Sequence, residues 1–334
     1  MIYAGIDEAG YGPMFGPLVV GRFAFEVNDA VRDQSGAGPD LWQHLERVVC
    51  RDLKSARRGR IAVNDSKKLH TSAAGLRHLE LGVLAFAAQA GVNPPTVDRW
   101  LDALGEKSHR DLNELPWYRP DTDRPWQVLP TAITIGQLAV ARSMLAAATR
   151  TADIRGVDLG ADVVFEDRFN RMVGATRSKA ATSFTFVAHH LQMLWKRFGD
   201  QHPLVIVDRQ SGRTRYRSLL AMNFPHAQLT ILHERSDSSA YLLDSGRDAD
   251  ARRQMTIVFQ VDAETDHMPV ALASMISKYT RELLMARFKA WFAQLAPAVK
   301  PTAGYARDAQ RFWQQIQPTL KQHEIEPGLL RRSS

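Results

Sequence analysis

Short apolar segments of strand length open the chain and later alternate with segments that carry apolar residues at helical spacing. The first two, Ile2–Asp7 and Leu18–Phe25, are separated only by a glycine- and proline-containing turn. We predict further strands at Ile61–Val63, Asp162–Phe165, Leu204–Val207, Leu229–Leu232 and Met255–Val261, and helices at Ser72–Ala90, Val97–Leu104, Ile133–Ala148, Lys179–Phe198, Met268–Leu295 and Ala309–Ile316. This order predicts an α/β fold with a mixed sheet, an antiparallel opening section and helices on its faces.

The composition is that of an ordinary globular protein. Of 334 residues, 45% are hydrophobic and 24% charged, which excludes global disorder and a coiled coil. No uncharged apolar run approaches the roughly 20 residues that span a bilayer, so we expect no membrane protein. Asp7 and Glu8 stand where a signal peptide would have its apolar core. Cys50 is the single cysteine, which excludes an internal disulfide and a cysteine-based metal site. We therefore expect a cytoplasmic protein.

The charge balance is basic. Lys and Arg number 43 against 36 Asp and Glu, which gives a net charge of +7. Part of this charge is clustered at Arg51, Lys54, Arg57, Arg58 and Arg60. Such a cluster is usually a solvated surface, and nonspecific duplex binding is the alternative. The excess of positive charge favours a polyanionic partner without identifying it.

Two predicted strands are followed directly by acids. Asp7 and Glu8 follow the first apolar segment, and Asp208 follows Leu204–Val207. Each acid alone fits a helix cap or a turn, where aspartate is common. If the two strands are neighbours, however, three carboxylates meet at one end of the sheet, where ligand sites of such folds lie. Clustered carboxylates require a cation, and Mg²⁺ or Mn²⁺ prefers oxygen ligands.

Five motifs resemble the type 2 ribonuclease H (ribonuclease HII) family, in the order of that family and along nearly the whole chain. The opening is Gly5-Ile6-Asp7-Glu8-Ala9-Gly10-Tyr11-Gly12-Pro13 followed by Gly16-Pro17-Leu18-Val19-Val20. The others are Asp65-Ser66-Lys67-Lys68-Leu69, Val207-Asp208, the helix motif Ala271–Lys278 with Thr280-Arg281, and Gly304-Tyr305 with Asp308. The opening motif is fairly specific, and the five motifs together are strong evidence for the fold of this family.

The resemblance implies a ribonuclease H-like fold with a mixed five-stranded sheet flanked by helices. It also implies a metal-dependent endonuclease that hydrolyses the RNA strand of RNA–DNA hybrids by a two-metal mechanism. Asp7, Glu8 and Asp208 correspond to three of four catalytic acids, which would hold two Mg²⁺ or Mn²⁺ ions. The partner would be an RNA–DNA hybrid or a ribonucleotide-containing duplex. The resemblance also assigns substrate contacts to Gly10, Tyr11, Gly12, Lys67, Lys68, Lys278 and Tyr305.

Two departures from the family matter. Tyr11 stands where the family commonly has an arginine that helps to recognise a ribonucleotide at an RNA–DNA junction, and tyrosine lacks its charged, forked donors. The fourth acid is either Glu264 or Asp237, on either side of an apparent hairpin; we favour Glu264 because its distance from the long helix matches the family. These departures leave open an alternative, a catalytically weak ribonuclease H-fold protein that binds nucleic acid.

The expected organisation is a catalytic domain over residues 1–300 and a C-terminal helical extension over 301–334 packed on it. Insertions are expected at about 26–60, 105–130 and 238–262, of which 105–130 has the composition of a lid or an added loop. His189 and His190 lie within a predicted helix and show no partner at ligand spacing, so we interpret them as structural. We expect a monomer.

Overall fold

The computed structural model describes residues 1–28, 38–105, 112–209, 212–246 and 252–333, so that parts of all three expected insertions lie outside the described residues. The strands are β1 (Ile2–Ala9), β2 (Leu18–Val27), β3 (Val49–Cys50), β4 (Ile61–Ala62), β5 (Ile154–Val164), β6 (Leu204–Asp208), β7 (Gln228–Glu234), β8 (Ser238–Asp244) and β9 (Gln254–Gln260). The helices are α1 (Leu41–His44), α2 (Leu53–Ala56), α3 (Ser66–Leu69), α4 (Arg77–Gln89), α5 (Val97–Leu104), α6 (Ile135–Thr151), α7 (Glu166–Thr176), α8 (Lys179–Phe198), α9 (Arg217–Asn223), α10 (Met268–Leu295), α11 (Ala306–Gln322) and α12 (Pro327–Leu330), and a 3-10 turn covers Ala263–Thr265.

The main sheet has the strand order β5-β2-β1-β6-β9-β8-β7 in the described residues. β1 is antiparallel to β2 and parallel to β6, and β9 is parallel to β6 on its far side. The predicted α/β fold with a mixed sheet flanked by helices is therefore confirmed. The sheet has seven strands rather than five because β8 and β7 continue it beyond β9 by antiparallel pairing.

Alternation along β1 divides the core into two layers. Tyr3 faces a layer that contains Phe23 and Phe25, whereas Ile2 and Ile6 face the opposite layer. The period of two in a strand sends neighbouring side chains to opposite faces, so both faces of this central strand are buried. The first layer is covered by α4 and α10, and the second by α8.

The long helix α10 packs on the sheet at two glycines. A Cβ atom on Gly5 would lie 2.2 Å from the backbone of Pro269 and Val270, and one on Gly21 would lie 2.5 Å from Ser277 Oγ. Only glycine leaves room for this approach of helix and strand. The 3-10 turn that precedes α10 lies against the end of β6.

The segment of residues 112–130 packs on α10. Trp117 and Tyr118 are fully buried, and Trp117 lies edge-on to Phe288 with ring centroids 6.5 Å apart. The buried guanidinium of Arg287 donates to the carbonyl oxygens of Tyr118, Arg119, Arg124 and Pro125. An arginine with so many backbone acceptors fixes this segment against α10 in the structure.

The segment from 301 onward packs on the same layer. Phe312 of α11 lies edge-on to Phe15 at 5.3 Å, and Ile316, Leu320 and Leu330 are buried in the same core cluster. Across the described ranges, no helix combines the length and the apolarity that a bilayer crossing requires.

Candidate metal centre

Asp7 lies near the end of β1 with its carboxylate almost completely buried. Its Oδ1 atom accepts a hydrogen bond from the amide of Glu8 at 2.6 Å, and Ser274 of α10 donates a further one to the carboxylate. Ser274 in turn contacts Ser66 of α3, Oγ to Oγ, at 3.0 Å. These neutral donors, the amide of Glu8 and the hydroxyl of Ser274, therefore orient Asp7 but do not neutralise it.

Asp208 and Glu264 meet Asp7 from two other elements. Asp208 ends β6, the parallel neighbour of β1, and its Oδ1 accepts a hydrogen bond from the amide of Ala263 at 3.0 Å. That bond ties the end of β6 to the 3-10 turn, so Glu264 lies beside Asp208. Parallel strands that end at one edge of the sheet thus bring together the acids that follow them.

Burial and mutual repulsion dominate the electrostatics of this cluster. The pKa of Asp7 is raised well above its ordinary value, first by burial and then by the charges of Glu8 and Glu264. Burial, Asp7 and Glu264 likewise raise the pKa of Asp208. Removal from water disfavours the charged form of a carboxyl, and a like charge nearby disfavours it further. Without a cation, burial and mutual repulsion therefore favour the protonated forms of Asp7 and Asp208.

The donor set fits a hard divalent cation. Glu264 Oε2 is buried without a hydrogen-bond partner in the described part of the chain, and the charges of Glu264 and Asp7 both act on Asp208. An unsatisfied buried oxygen among like charges is costly unless a cation binds there. Oxygen-only donors suit Mg²⁺ or Mn²⁺ better than zinc or copper.

The two candidates for a fourth acid differ in position. Glu264 is buried in the 3-10 turn between Asp208 and α10, whereas Asp237 is exposed in the turn between β7 and β8. The carbonyl of Asp237 accepts a hydrogen bond from the amide of Val261 at 3.0 Å. The hairpin thus brings the backbone of Asp237 near the turn, but the acid that adds its charge to Asp7 and Asp208 is Glu264.

The loop that carries Gly10, Tyr11 and Gly12 follows β1 beside Glu8. Gly10 has φ +89°, and a Cβ there would lie 2.5 Å from the carbonyl oxygen of Pro17, so this position requires glycine. Tyr11 is half-buried, and burial followed by the charge of Glu8 raises the pKa of its hydroxyl. Gly12 is exposed with open space around it. The loop therefore presents backbone to the solvent next to the acids.

The lysines proposed for substrate contact lie on two elements. Lys67 and Lys68 are exposed on α3, where Asp65 caps the helix by accepting from the amide of Lys67 at 2.9 Å. Burial lowers the pKa of Lys67, but the charges of Asp65, Asp7 and Glu264 raise it, with a net upward shift. Lys67 is thus electrostatically coupled to the acid cluster.

Lys278 and Tyr305 form a second group. Lys278 pairs with Glu282 one turn along α10 at 2.8 Å and lies 5.6 Å from the centre of the Tyr305 ring. The buried Arg281 guanidinium lies 5.0 Å from the same ring. Tyr305 is 42% exposed, so part of an aromatic ring that lies beside two cations is open to a ligand.

A separate group of potential ligands lies between β5 and α8. Asp162 Oδ2, His189 Nδ1 and His190 Nε2 lie within 4.8 Å of one another, so His189 and His190 have a partner that the sequence did not reveal. His190 Nε2 donates to the carbonyl oxygen of Val20 at 2.8 Å, which leaves Nδ1 to accept from Arg22 at 2.9 Å. Both ring nitrogens are then used, and burial lowers the pKa of His190 to about 4. This arrangement is a hydrogen-bonded network that holds β2, β5 and α8 together.

Sequence reasoning missed two arginines near the glycine loop. Arg332 is buried and donates to the carbonyl oxygens of Gly10 and Tyr11. Arg213, in the segment after β6, lowers the pKa of Tyr11 by its charge and lies 5.9 Å from the ring of Tyr216. Neither residue has a local sequence signal, because only the tertiary fold brings it to the loop.

No protein-family model matches the chain, and no curated protein matches its sequence. Among solved structures, it is similar to the ribonuclease HII of Archaeoglobus fulgidus, solved with PCNA, at 16% identity and TM-score 0.40 over 99% of this chain and 94% of that chain. It is also similar to ribonuclease H2 of Pyrococcus horikoshii OT3, at 16% identity and TM-score 0.43 over 99% of this chain and 92% of that chain. The similarity to Bst-RNase HIII in complex with Mn²⁺ is 14% identity and TM-score 0.40 over 99% of this chain and 66% of that chain. These proteins are ribonucleases of types HII and HIII, and five sequence motifs of this chain resemble the HII family.

Proposed function

We propose that this protein is a divalent-metal-dependent endonuclease that hydrolyses the RNA strand of RNA–DNA hybrids. The observation that carries the proposal is the convergence of Asp7, Asp208 and Glu264 at one edge of the sheet, buried and mutually repelling, with Glu8 adjacent. The five motifs of the sequence support the same reading.

Asp7, Glu8, Asp208 and Glu264 would hold two Mg²⁺ or Mn²⁺ ions. When bound, such ions activate water for attack on phosphorus and stabilise the leaving oxygen. The carboxylates must give up their protons to bind the ions, because a ligating carboxylate is deprotonated. Ser274 and the amide of Ala263 keep Asp7 and Asp208 oriented while this occurs. No separate protein base is required.

The surrounding residues would bind the duplex. Lys67 can neutralise a phosphate beside the acid cluster, and the half-exposed ring of Tyr305 can pack against a nucleotide. The loop at Gly10–Gly12 offers backbone that approaches the scissile strand closely, because Gly12 has no side chain and open space around it. These contacts hold the strand at the acids and do not read its sequence.

A cleavage assay tests the proposal. Three labelled substrates are compared, an RNA–DNA hybrid, a duplex with a single ribonucleotide and plain duplex DNA, each with Mg²⁺, Mn²⁺ or EDTA. We expect metal-dependent cleavage of the hybrid with 5′-phosphate and 3′-hydroxyl products, and no cleavage of DNA. Cleavage that persists in EDTA contradicts the proposed metal dependence.

A second candidate function, hybrid binding with weak catalysis, is favoured by Tyr11. The loop lacks the forked donors of an arginine at this position. Tight binding of the hybrid with negligible turnover at saturating metal would favour this function over the nuclease.

A further inference from the structure

The backbone from Gly10 to Gly16 is held by contacts from several parts of the chain. Arg332 Nη2 donates to the carbonyl oxygen of Tyr11 at 2.6 Å, and Nη1 donates to that of Gly10. The amide of Arg332 also donates to the carbonyl of Met14 at 2.9 Å. At the far end, Glu166 accepts from the amide of Gly16 at 2.9 Å. Arg332 is thus the residue that holds the half of the loop next to Glu8.

These hydrogen bonds set the direction of the loop amides. The peptide bonds at Gly10–Tyr11 and Tyr11–Gly12 are trans, and in a trans peptide the carbonyl and the following N–H point in opposite directions. Because the carbonyls of Gly10 and Tyr11 point inward to Arg332, the N–H groups of Tyr11 and Gly12 point outward. The side they face is the open one, where Gly12 is exposed.

The guanidinium is itself firmly placed. Arg332 is 3% exposed and lies 4.1 Å from the centre of the Phe169 ring. Asn170 holds the surrounding segment: its Nδ2 donates to the carbonyls of Gly328 and Arg331, both at 2.8 Å, and its Oδ1 accepts from the amide of Ser333 at 2.6 Å. Burial lowers the pKa of Arg332 only to about 10, and the charge of Glu166 opposes that shift, so the group stays charged.

We propose that Arg332 is a positioning residue for substrate binding: its two hydrogen bonds keep the amides of Tyr11 and Gly12 turned toward the bound nucleic acid. It acts through the loop and does not touch the substrate. This role rests on the proposed function, in which the loop contacts the scissile strand. It also explains how the loop keeps its shape with tyrosine in its centre, because the fork of a buried arginine matches two successive carbonyls.

The test replaces Arg332 by methionine or lysine in the full chain, with Arg331→Met as the matched control. Arg331 is the neighbouring arginine and lies against Trp313 instead, 5.0 Å from its ring. We expect Arg332→Met to raise KM for the hybrid about tenfold, the scale of losing charge-assisted hydrogen bonds, with a smaller change in kcat. Arg332→Lys keeps the charge but lacks the forked guanidinium, so its KM should lie between those of the wild type and Arg332→Met. Arg331→Met should match the wild type.

Amide hydrogen exchange provides a readout that does not depend on activity. In Arg332→Met, a peptide covering residues 8–16 should exchange faster, while the peptides of β6 and α10 are unchanged. If Arg332→Met does not fold, Asn170→Ala keeps the arginine but removes the hydrogen bonds that anchor its segment. Loosening Arg332 in this way should change loop exchange and KM in the same direction.

The inference is overturned if loop exchange and KM are unchanged in Arg332→Met, or if exchange rises equally throughout the protein, which would show a purely structural role. If the wild type neither binds nor cuts hybrids, the proposed function fails, and so does the assignment to substrate binding. In that case, faster exchange confined to the loop would still support the conclusion that Arg332 holds the loop, but not that it serves substrate binding.

Discussion

Gly5 and Val270 bring strand and helix into direct backbone contact: a Cβ atom on Gly5 would lie 2.2 Å from the amide nitrogen of Val270. The contact lies two residues before Asp7 on β1 and six residues after Glu264. The distance between these two acids is therefore set by a glycine that carries no chemistry of its own.

Gly5→Ala should destabilise the protein by about 3 kcal/mol or more, because the new methyl group meets backbone that cannot rotate away. Denaturant unfolding in EDTA measures the change. Gly174→Ala is the control: Gly174 lies in α7 with open space around it, so alanine there should be neutral or stabilising by up to about 1 kcal/mol. Equal stability of the two variants would contradict the close packing of α10 on β1.

Asp7→Asn should abolish cleavage while the metal-free protein keeps or gains stability. The amide removes a proposed metal ligand, and it also removes a charge that repels Asp208. Turnover with Mg²⁺ and thermal unfolding in EDTA are measured on the same preparation. A folded variant with near wild-type turnover would remove Asp7 from the metal site.

Glu264→Gln should lose most of the activity, and Asp237→Asn should lose little. Glu264 is buried and adds its charge to Asp208, whereas Asp237 is exposed, so that solvent and salt screen its charge. Both variants are assayed over a range of Mg²⁺ concentrations, where a lost ligand shows as a raised metal requirement. The reverse pattern would exchange the two assignments, and full activity in both would leave a site of three acids.

Metal-free protein should lose stability as the pH rises from about 4, the ordinary pKa of aspartate, through the raised pKa values of Asp7 and Asp208. The folded protein binds more protons than the unfolded chain in this window, so raising the pH favours unfolding. Mg²⁺ should reverse the trend, because it binds the deprotonated cluster. Thermal unfolding from pH 5 to 9 with EDTA or Mg²⁺ measures both slopes, and Asp208→Asn should flatten the EDTA slope. A stability in EDTA that is independent of pH would refute the proposed repulsion.

If the proposed nuclease function holds, the protein should cut runs of ribonucleotides in preference to a single embedded one, because Tyr11 cannot supply the donors of an arginine. The ratio of the two cleavage rates is compared between the wild type and Tyr11→Arg, which should shift it toward the single ribonucleotide. Efficient cleavage of single ribonucleotides by the wild type, with no shift in the variant, is the contrary outcome.

The sequence predicted the mixed sheet and the long helices because their signals are local. The helical pattern of Lys179–Phe198 matches α8, and that of Met268–Leu295 matches α10. By contrast, β5 extends back to Ile154, well before the predicted start at Asp162, because polar residues and two glycines interrupt its apolar pattern. Helix α7 was not predicted, since only Glu166 and Phe169 are buried on it.

Within the candidate site, the sequence pattern predicts the acids at the ends of strands but not the groups that support them. Asp7, Glu8 and Asp208 each follow a recognisable apolar segment. The hydrogen bond from Ser274 to Asp7 and the fork of Arg332 under Tyr11 join residues far apart in sequence. No periodicity or spacing encodes such pairs, because they depend on how helices dock on the finished sheet.

The central place of β1 also has a consequence for the order of folding. β1 can pair with β2 as soon as the first 27 residues are available, but its other neighbour, β6, begins only at Leu204. Pairings between distant segments form slowly, because the entropy of closing the intervening chain must be overcome first. Until β6 docks, Asp7 has neither Asp208 nor Glu264 beside it. A divalent cation therefore has no preformed cluster to bind during the early steps of folding. It can affect only the late step in which β6 docks beside β1.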